Sequence, residues 1–116
     1  MGNLSKHFSR AEFACQCGCG FDTVDAQLLE ILELVRSEFK QPVTITSGCR
    51  CPDHNFKIGG AEDSQHTIGR AADIKVKGVE PKRVYEFISR GFRNQLGLGF
   101  YSGWVHVDTR AKKARW

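Results

Sequence analysis

The chain has 116 residues, of which 41% are hydrophobic and 26% charged. That is ordinary globular composition for one compact domain over residues 1–116, with enough chain for a real core and too little for two. It argues against disorder, and no apolar run approaches the ~18 residues of a membrane span, so no membrane insertion is expected. The start, Met1-Gly2-Asn3-Leu4-Ser5-Lys6-His7, has no apolar h-region. No secretory signal is expected there, nor myristoylation, because Lys6 stands where Ser or Thr would be needed. The net charge is +4. Arg110, Lys112, Lys113 and Arg115 carry a charge equal to that whole excess, and the rest of the chain is balanced. A nucleic-acid reading would rest on that one short tail, with no basic stripe interleaved with aromatics in the rest of the chain, and such binding is not expected. A solvated terminus, or one favouring an anionic surface, accounts for it as well.

In chain order, Ser9-Arg10-Ala11-Glu12 has capping-box spacing and predicts a short helix from near Arg10. The glycines of Cys15-Gln16-Cys17-Gly18-Cys19-Gly20 break it in a tight loop. From about Asp25 to Phe39, Leu28, Leu32, Val35 and Phe39 recur at helical spacing, widened by Leu29 and Ile31. Val43-Thr44-Ile45-Thr46 reads as a β-branched strand, and Ala72-Asp73-Ile74-Lys75-Val76 as a second. Pro81 suits the first position of a helix running through Val84, Phe87 and Ile88. Gly97–Tyr101 and Trp104–Asp108 read as strands joined through Ser102-Gly103. Segregated helices and strands, ending in a hairpin, predict an α+β fold with a small, mostly antiparallel sheet flanked by helices.

Between the first two strands runs a turn-rich segment of about 24 residues, long enough in so small a domain to suggest function. It contains Ser47-Gly48-Cys49-Arg50 and Ser64-Gln65-His66, and it leads into Asp73; His106 and Asp108 come late in the chain. Two imidazoles and a carboxylate form a standard ligand set for catalytic zinc, which keeps one position open for water and lowers its pKa to about 7. Spacing alone leaves open whether these histidines are ligands or satisfied polar groups.

The strings Ser64-Gln65-His66-Thr67-Ile68-Gly69-Arg70-Ala71-Ala72-Asp73-Ile74 and Trp104-Val105-His106-Val107-Asp108 resemble the two zinc-binding motifs of the D-alanyl-D-alanine carboxypeptidase family (peptidase M15). Ala71 and Asp73 hold the last two fixed positions of the family's Ser-x-His-x-x-Gly-x-Ala-x-Asp pattern. Ser47-Gly48-Cys49-Arg50 resembles the family's Ser-Gly-Tyr-Arg segment, which precedes a short helix, with Cys49 in the aromatic position. The likeness covers about half the chain. It points to compact bacteriophage members that act on bacterial cell-wall peptides and, more distantly, to the hedgehog signalling domain.

The resemblance implies a hedgehog/DD-peptidase-like fold and one catalytic zinc ion held by His66, Asp73 and His106. It implies that Arg50 pairs with a substrate carboxylate and that Ser64 bonds the substrate backbone. The structural readings beside these are a surface salt bridge for Arg50 and a turn cap for Ser64. The implied activity is hydrolysis of amide bonds in peptidoglycan stem peptides, as a carboxypeptidase or as an endolysin-like endopeptidase. A monomer made in the cytoplasm and acting at the cell wall would suit such an enzyme. The alternative is a non-catalytic zinc module that binds cell wall or belongs to a virion.

The chain departs from the family at its general base. The usual acid, three residues before the last histidine, is Gly103, and Trp104 stands where some members have His. Asp108 is the nearest substitute, since it shares a strand face with His106 at about 7 Å along the strand. It could accept the proton or only orient the ligand. Glu62 and Asp63 are further candidates. The five cysteines fall in two clusters, Cys15, Cys17 and Cys19, then Cys49 and Cys51. Disulfides between the clusters, free thiols and a second metal remain alternatives. His54 is expected to be structural, His7 inert, and Phe100, Tyr101 and Trp104 core or cleft wall.

Overall fold

Alternating side chains decide the architecture. In a computed structural model that describes residues 3–61 and 64–116, strands β1 (Val43–Ser47), β2 (Ala71–Val76), β3 (Gly97–Phe100), β4 (Val105–Asp108) and β5 (Ala114–Arg115) form one sheet. Its order is β1-β2-β4-β3-β5. Every pairing is antiparallel except β3 with β5, which is parallel, so the α+β reading with a mostly antiparallel sheet holds.

One face of the sheet is apolar. Ile74 and Val76 of β2, Val105 and Val107 of β4 and Leu98 of β3 are buried in a common core. Helices α1 (Ala26–Phe39) and α3 (Pro81–Gly91) cover that face through Leu28, Ile31, Leu32 and Val35, and through Val84 and Ile88. Asp25 caps α1 by accepting the Leu28 N–H at 3.1 Å, and Pro81 opens α3 where its missing N–H costs nothing. The capping box at Ser9 and Glu12 forms as expected, though it starts a single 3-10 turn, Arg10–Phe13. No described helix is long and apolar enough to cross a membrane.

The other face carries the polar residues of the same strands. Asp73 lies opposite His106, and Ala71 opposite Asp108. Between β1 and β2 the described residues form the short helix α2 (Pro52–Lys57) and a 3-10 turn, Gln65–Ile68, and the turn packs against β2. A register shift in β1 between Ile45 and Ser47 marks where the chain leaves the sheet for that segment.

The basic tail corrects the solvated-terminus reading. Arg115 donates to the carbonyls of Phe92, Gln95, Leu96 and Ala114, and β5 extends the sheet. Arg110 pairs with Asp108. Two of the four tail cations are therefore built into the fold, while Lys112 and Lys113 are exposed.

Candidate metal centre

Three ligand atoms converge on the polar face. His66 Nε2, Asp73 and His106 Nδ1 offer donors that all lie within 4.8 Å of one another. His66 Nε2 is 3.4 Å, and His106 Nδ1 3.0 Å, from the same Asp73 oxygen, Oδ1. His66 comes from the 3-10 turn, whose Ser64 hydroxyl caps it by accepting the His66 N–H at 3.2 Å. The other two sit side by side on β2 and β4.

Each imidazole is fixed from behind. The Gly48 carbonyl lies 2.6 Å from His66 Nδ1, so that nitrogen carries the proton and Nε2 presents a lone pair. His66 is buried, and its Nε2 has no hydrogen-bond partner. Asp108 Oδ2 lies 2.8 Å from His106 Nε2, which places that proton on the side away from the centre. Two nitrogen lone pairs thus face a carboxylate oxygen, an arrangement of acceptors that a bound cation satisfies. Imidazole, imidazole and carboxylate are a donor set suited to zinc, and the backing carbonyl and carboxylate are its customary outer support. His66, Asp73 and His106 fit the ion.

Burial works to raise the Asp73 pKa, but the His106 and His66 rings beside it outweigh that and bring it down to about 2. Burial works to lower the His106 pKa, and the carboxylates of Asp108 and Asp73 on either side of the ring reverse that and raise it. Asp108 is completely buried. Burial alone would lift its pKa, yet the bonds from His106 and Arg110 hold it well below the ordinary carboxylate range.

Asp108 does not face the cleft. It accepts five hydrogen bonds: from His106 Nε2, the Gly97 N–H, the Arg110 N–H, Arg110 Nε at 2.8 Å and Arg110 Nη2 at 2.7 Å. Of the two roles open to it, this geometry supports orienting His106. The shared strand face was legible, but the side chains lean together into direct contact. β3 makes room for this with glycines. A Cβ on Gly97 would come within 2.5 Å of both Asp108 oxygens, and one on Gly99 within 2.4 Å of the Trp116 indole.

The centre opens into a cleft of about 470 Å³. Arg50, Ser64, Tyr101, Trp104 and Trp116 are among the residues that line it. Arg50 Nε is buried without a hydrogen-bond partner, and among the described residues the guanidinium forms no ion pair. The surface-salt-bridge alternative therefore has no partner there. Burial lowers the Arg50 pKa, opposed by the charge of Asp73. Ser64 both caps the turn and lines the cleft, so its two readings coexist.

Tyr101 and Trp104 are cleft wall, stacked at 4.6 Å. Trp116, which the sequence reading passed over, donates its indole N–H to Tyr101 at 2.8 Å and lies 5.1 Å from the His106 ring. Its only sequence signal was an aromatic beside a basic run. Phe100 instead packs on Tyr85 at 5.9 Å, away from the centre. Among the described residues, Asp73 is the only carboxylate lining the cleft. Glu62 and Asp63 lie outside the described residues.

Two buried histidines and a partly exposed aspartate, open to a cleft on one side, are a candidate metal-binding group of the type that mononuclear metallohydrolases use. The chain belongs to the peptidase M15 family, whose model matches residues 6–108. It is thus a metallopeptidase by family, and the peptidases of that family are typically zinc dependent. No curated protein matches the chain.

Proposed function

We propose that the chain is a zinc peptidase that hydrolyses amide bonds in peptidoglycan stem peptides, as a carboxypeptidase or an endopeptidase. The observation that carries this reading is the Arg50 guanidinium, which forms no ion pair among the described residues, on the same cleft as the His66–Asp73–His106 triad. Zinc, when bound there, supplies Lewis-acid polarisation of the scissile carbonyl and activation of water.

The remaining work belongs to the chain's own residues. Arg50 binds a substrate carboxylate, for which a planar guanidinium offers two parallel donors. Stem peptides are rich in such carboxylates, at their C-termini and on their side chains. Ser64 donates to the substrate backbone. The Gly48 carbonyl and Asp108 hold the protons at His66 Nδ1 and His106 Nε2, so both rings present their other nitrogen inward. Tyr101, Trp104 and Trp116 form an aromatic wall that confines the peptide and limits access of water. Proton transfer to the leaving amine falls to Glu62 or Asp63, whose neighbours in sequence, Ala61 and Ser64, both line the cleft.

The test is mass spectrometry of purified peptidoglycan incubated with zinc-loaded protein, beside Glu62→Gln and Asp63→Asn variants. The expected result is new metal-dependent fragments, whose termini name the bond cut, and their loss in one of the two variants. Zinc-loaded protein that binds peptidoglycan without fragmenting it would replace this reading with a non-catalytic wall-binding module.

A further inference from the structure

A second constellation lies outside the cleft. The sulfurs of Cys15, Cys17, Cys19 and Cys51 all lie within 4.8 Å of one another. Cys17 Sγ is 3.4 Å from Cys15 Sγ and 3.6 Å from Cys51 Sγ. The two sequence clusters therefore meet, but no disulfide joins any of the five cysteines. Four sulfurs at the corners of a tetrahedron around zinc, each about 2.3 Å from the ion, stand about 3.8 Å apart. The observed separations have that scale, well beyond the ~2.05 Å of a covalent S–S bond.

The local backbone is shaped for such a centre. Cys-x-Cys-x-Cys is a tight spacing, and the chain meets it by reversing at Gly18 and Gly20, whose φ values are +82° and +91°. The Gly18 N–H closes that turn on the Cys15 carbonyl at 3.2 Å. Main-chain donors also point at the sulfurs: the Cys51 N–H at Cys15 Sγ and the His54 N–H at Cys51 Sγ, each 3.4 Å. Such bonds offset the negative charge that four thiolates leave around a divalent cation. The fifth cysteine is separate, with its Cys49 thiol donating to the carbonyls of Phe13 and Phe21.

We infer that Cys15, Cys17, Cys19 and Cys51 bind a second, structural zinc ion, distinct from the one at the His66–Asp73–His106 triad. All four corners are protein sulfur, so no position stays open for water, and the site is closed rather than catalytic. The ion ties the 15–19 loop to the start of α2, at the residue following Arg50. It thereby anchors one side of the cleft from the outside. This inference does not depend on the peptidase reading.

Metal content and thiol state test it on the full chain, purified under reducing conditions with zinc. Two ions per chain are expected, falling to one in Cys17→Ser and in Cys19→Ser and staying at two in Cys49→Ser. In a His66→Ala, His106→Ala double variant one ion is expected to remain. Cobalt substituted into that double variant is expected to give strong near-ultraviolet thiolate-to-metal charge-transfer absorption, a readout that no cysteine variant needs to fold to provide. A double variant without metal, cobalt in it lacking sulfur absorption, or an intact mass reduced by two disulfides would each overturn the inference, whatever the triad holds.

Discussion

His106 and Asp108 meet on the side of the imidazole facing away from the metal centre, 2.8 Å from Nε2 to Oδ2. The carboxylate thus sets which nitrogen of His106 is available. A positioning role predicts that Asp108→Asn weakens zinc binding about 10- to 100-fold, with activity recovering as zinc is raised. Competition with a fluorescent chelator, alongside activity across a zinc titration, measures this. Activity that stays lost in the zinc-saturated variant would instead return Asp108 to the proton-transfer step.

The two histidines make a complementary prediction. His66→Ala and His106→Ala are each expected to lower metal content by one ion per chain, without loss of the sulfur-bound ion. Elemental analysis of the folded variants reads this directly. Retention of the full content by either would contradict the ligand set.

Arg50 is expected to act on substrate rather than metal. A charged hydrogen-bonded contact is worth about 1.5–3 kcal/mol, so Arg50→Ala should lower kcat/KM roughly 10- to 100-fold at unchanged zinc content. Arg50→Lys should recover little, since an ammonium offers no planar pair of donors. Steady-state kinetics on a stem peptide and on the same peptide with its carboxylates amidated provide the check, because the amidated peptide should lose the Arg50 dependence.

Gly97 tests the packing behind the centre. A methyl group there collides with both Asp108 oxygens and with Arg110 Nε. Gly97→Ala is expected to cost about 3 kcal/mol of stability and to weaken zinc binding as Asp108 is displaced. Thermal unfolding with and without zinc separates the two losses.

The acid limb of stability should report on Glu33, which belongs to neither ligand cluster. Burial works to raise its pKa, but hydrogen bonds from Ser5 and from the His7 ring and N–H hold it below the ordinary value. A lowered folded-state pKa means its contribution is present above the unfolded value of about 4.3 and is lost as pH falls through the folded value. Glu33→Gln should therefore flatten the fall of Tm below about pH 4.3. His7 is consequently a packing partner, though inert toward the cleft.

What the sequence made legible follows from periodicity and local chemistry. α1, α3 and the strands β1 to β4 carry repeats of hydrophobic spacing or cap residues, and they form within a residue or two of expectation. β5 spans two residues, too few for any period, and its pairing with β3 depends on a turn at the chain's end. The triad residues stood out by type and motif. The facing of Asp108 did not, because strand alternation fixes a side chain's face and not the atom it touches. The meeting of Cys51 with Cys15 and Cys17 likewise depends on the path the chain takes just after β1, which no local period encodes.

The direct pairing of Asp73 with His106 across β2 and β4 ties the centre to strand registration. Sliding β4 by one residue would set a valine opposite Asp73 and turn both His106 and Asp108 toward the helices. A metal held by this pair therefore acts as a proofreader of the sheet, rewarding one alignment of two strands that lie far apart in the chain. Misaligned chains would forfeit the ion, and metal uptake would mark completion of the central pairing.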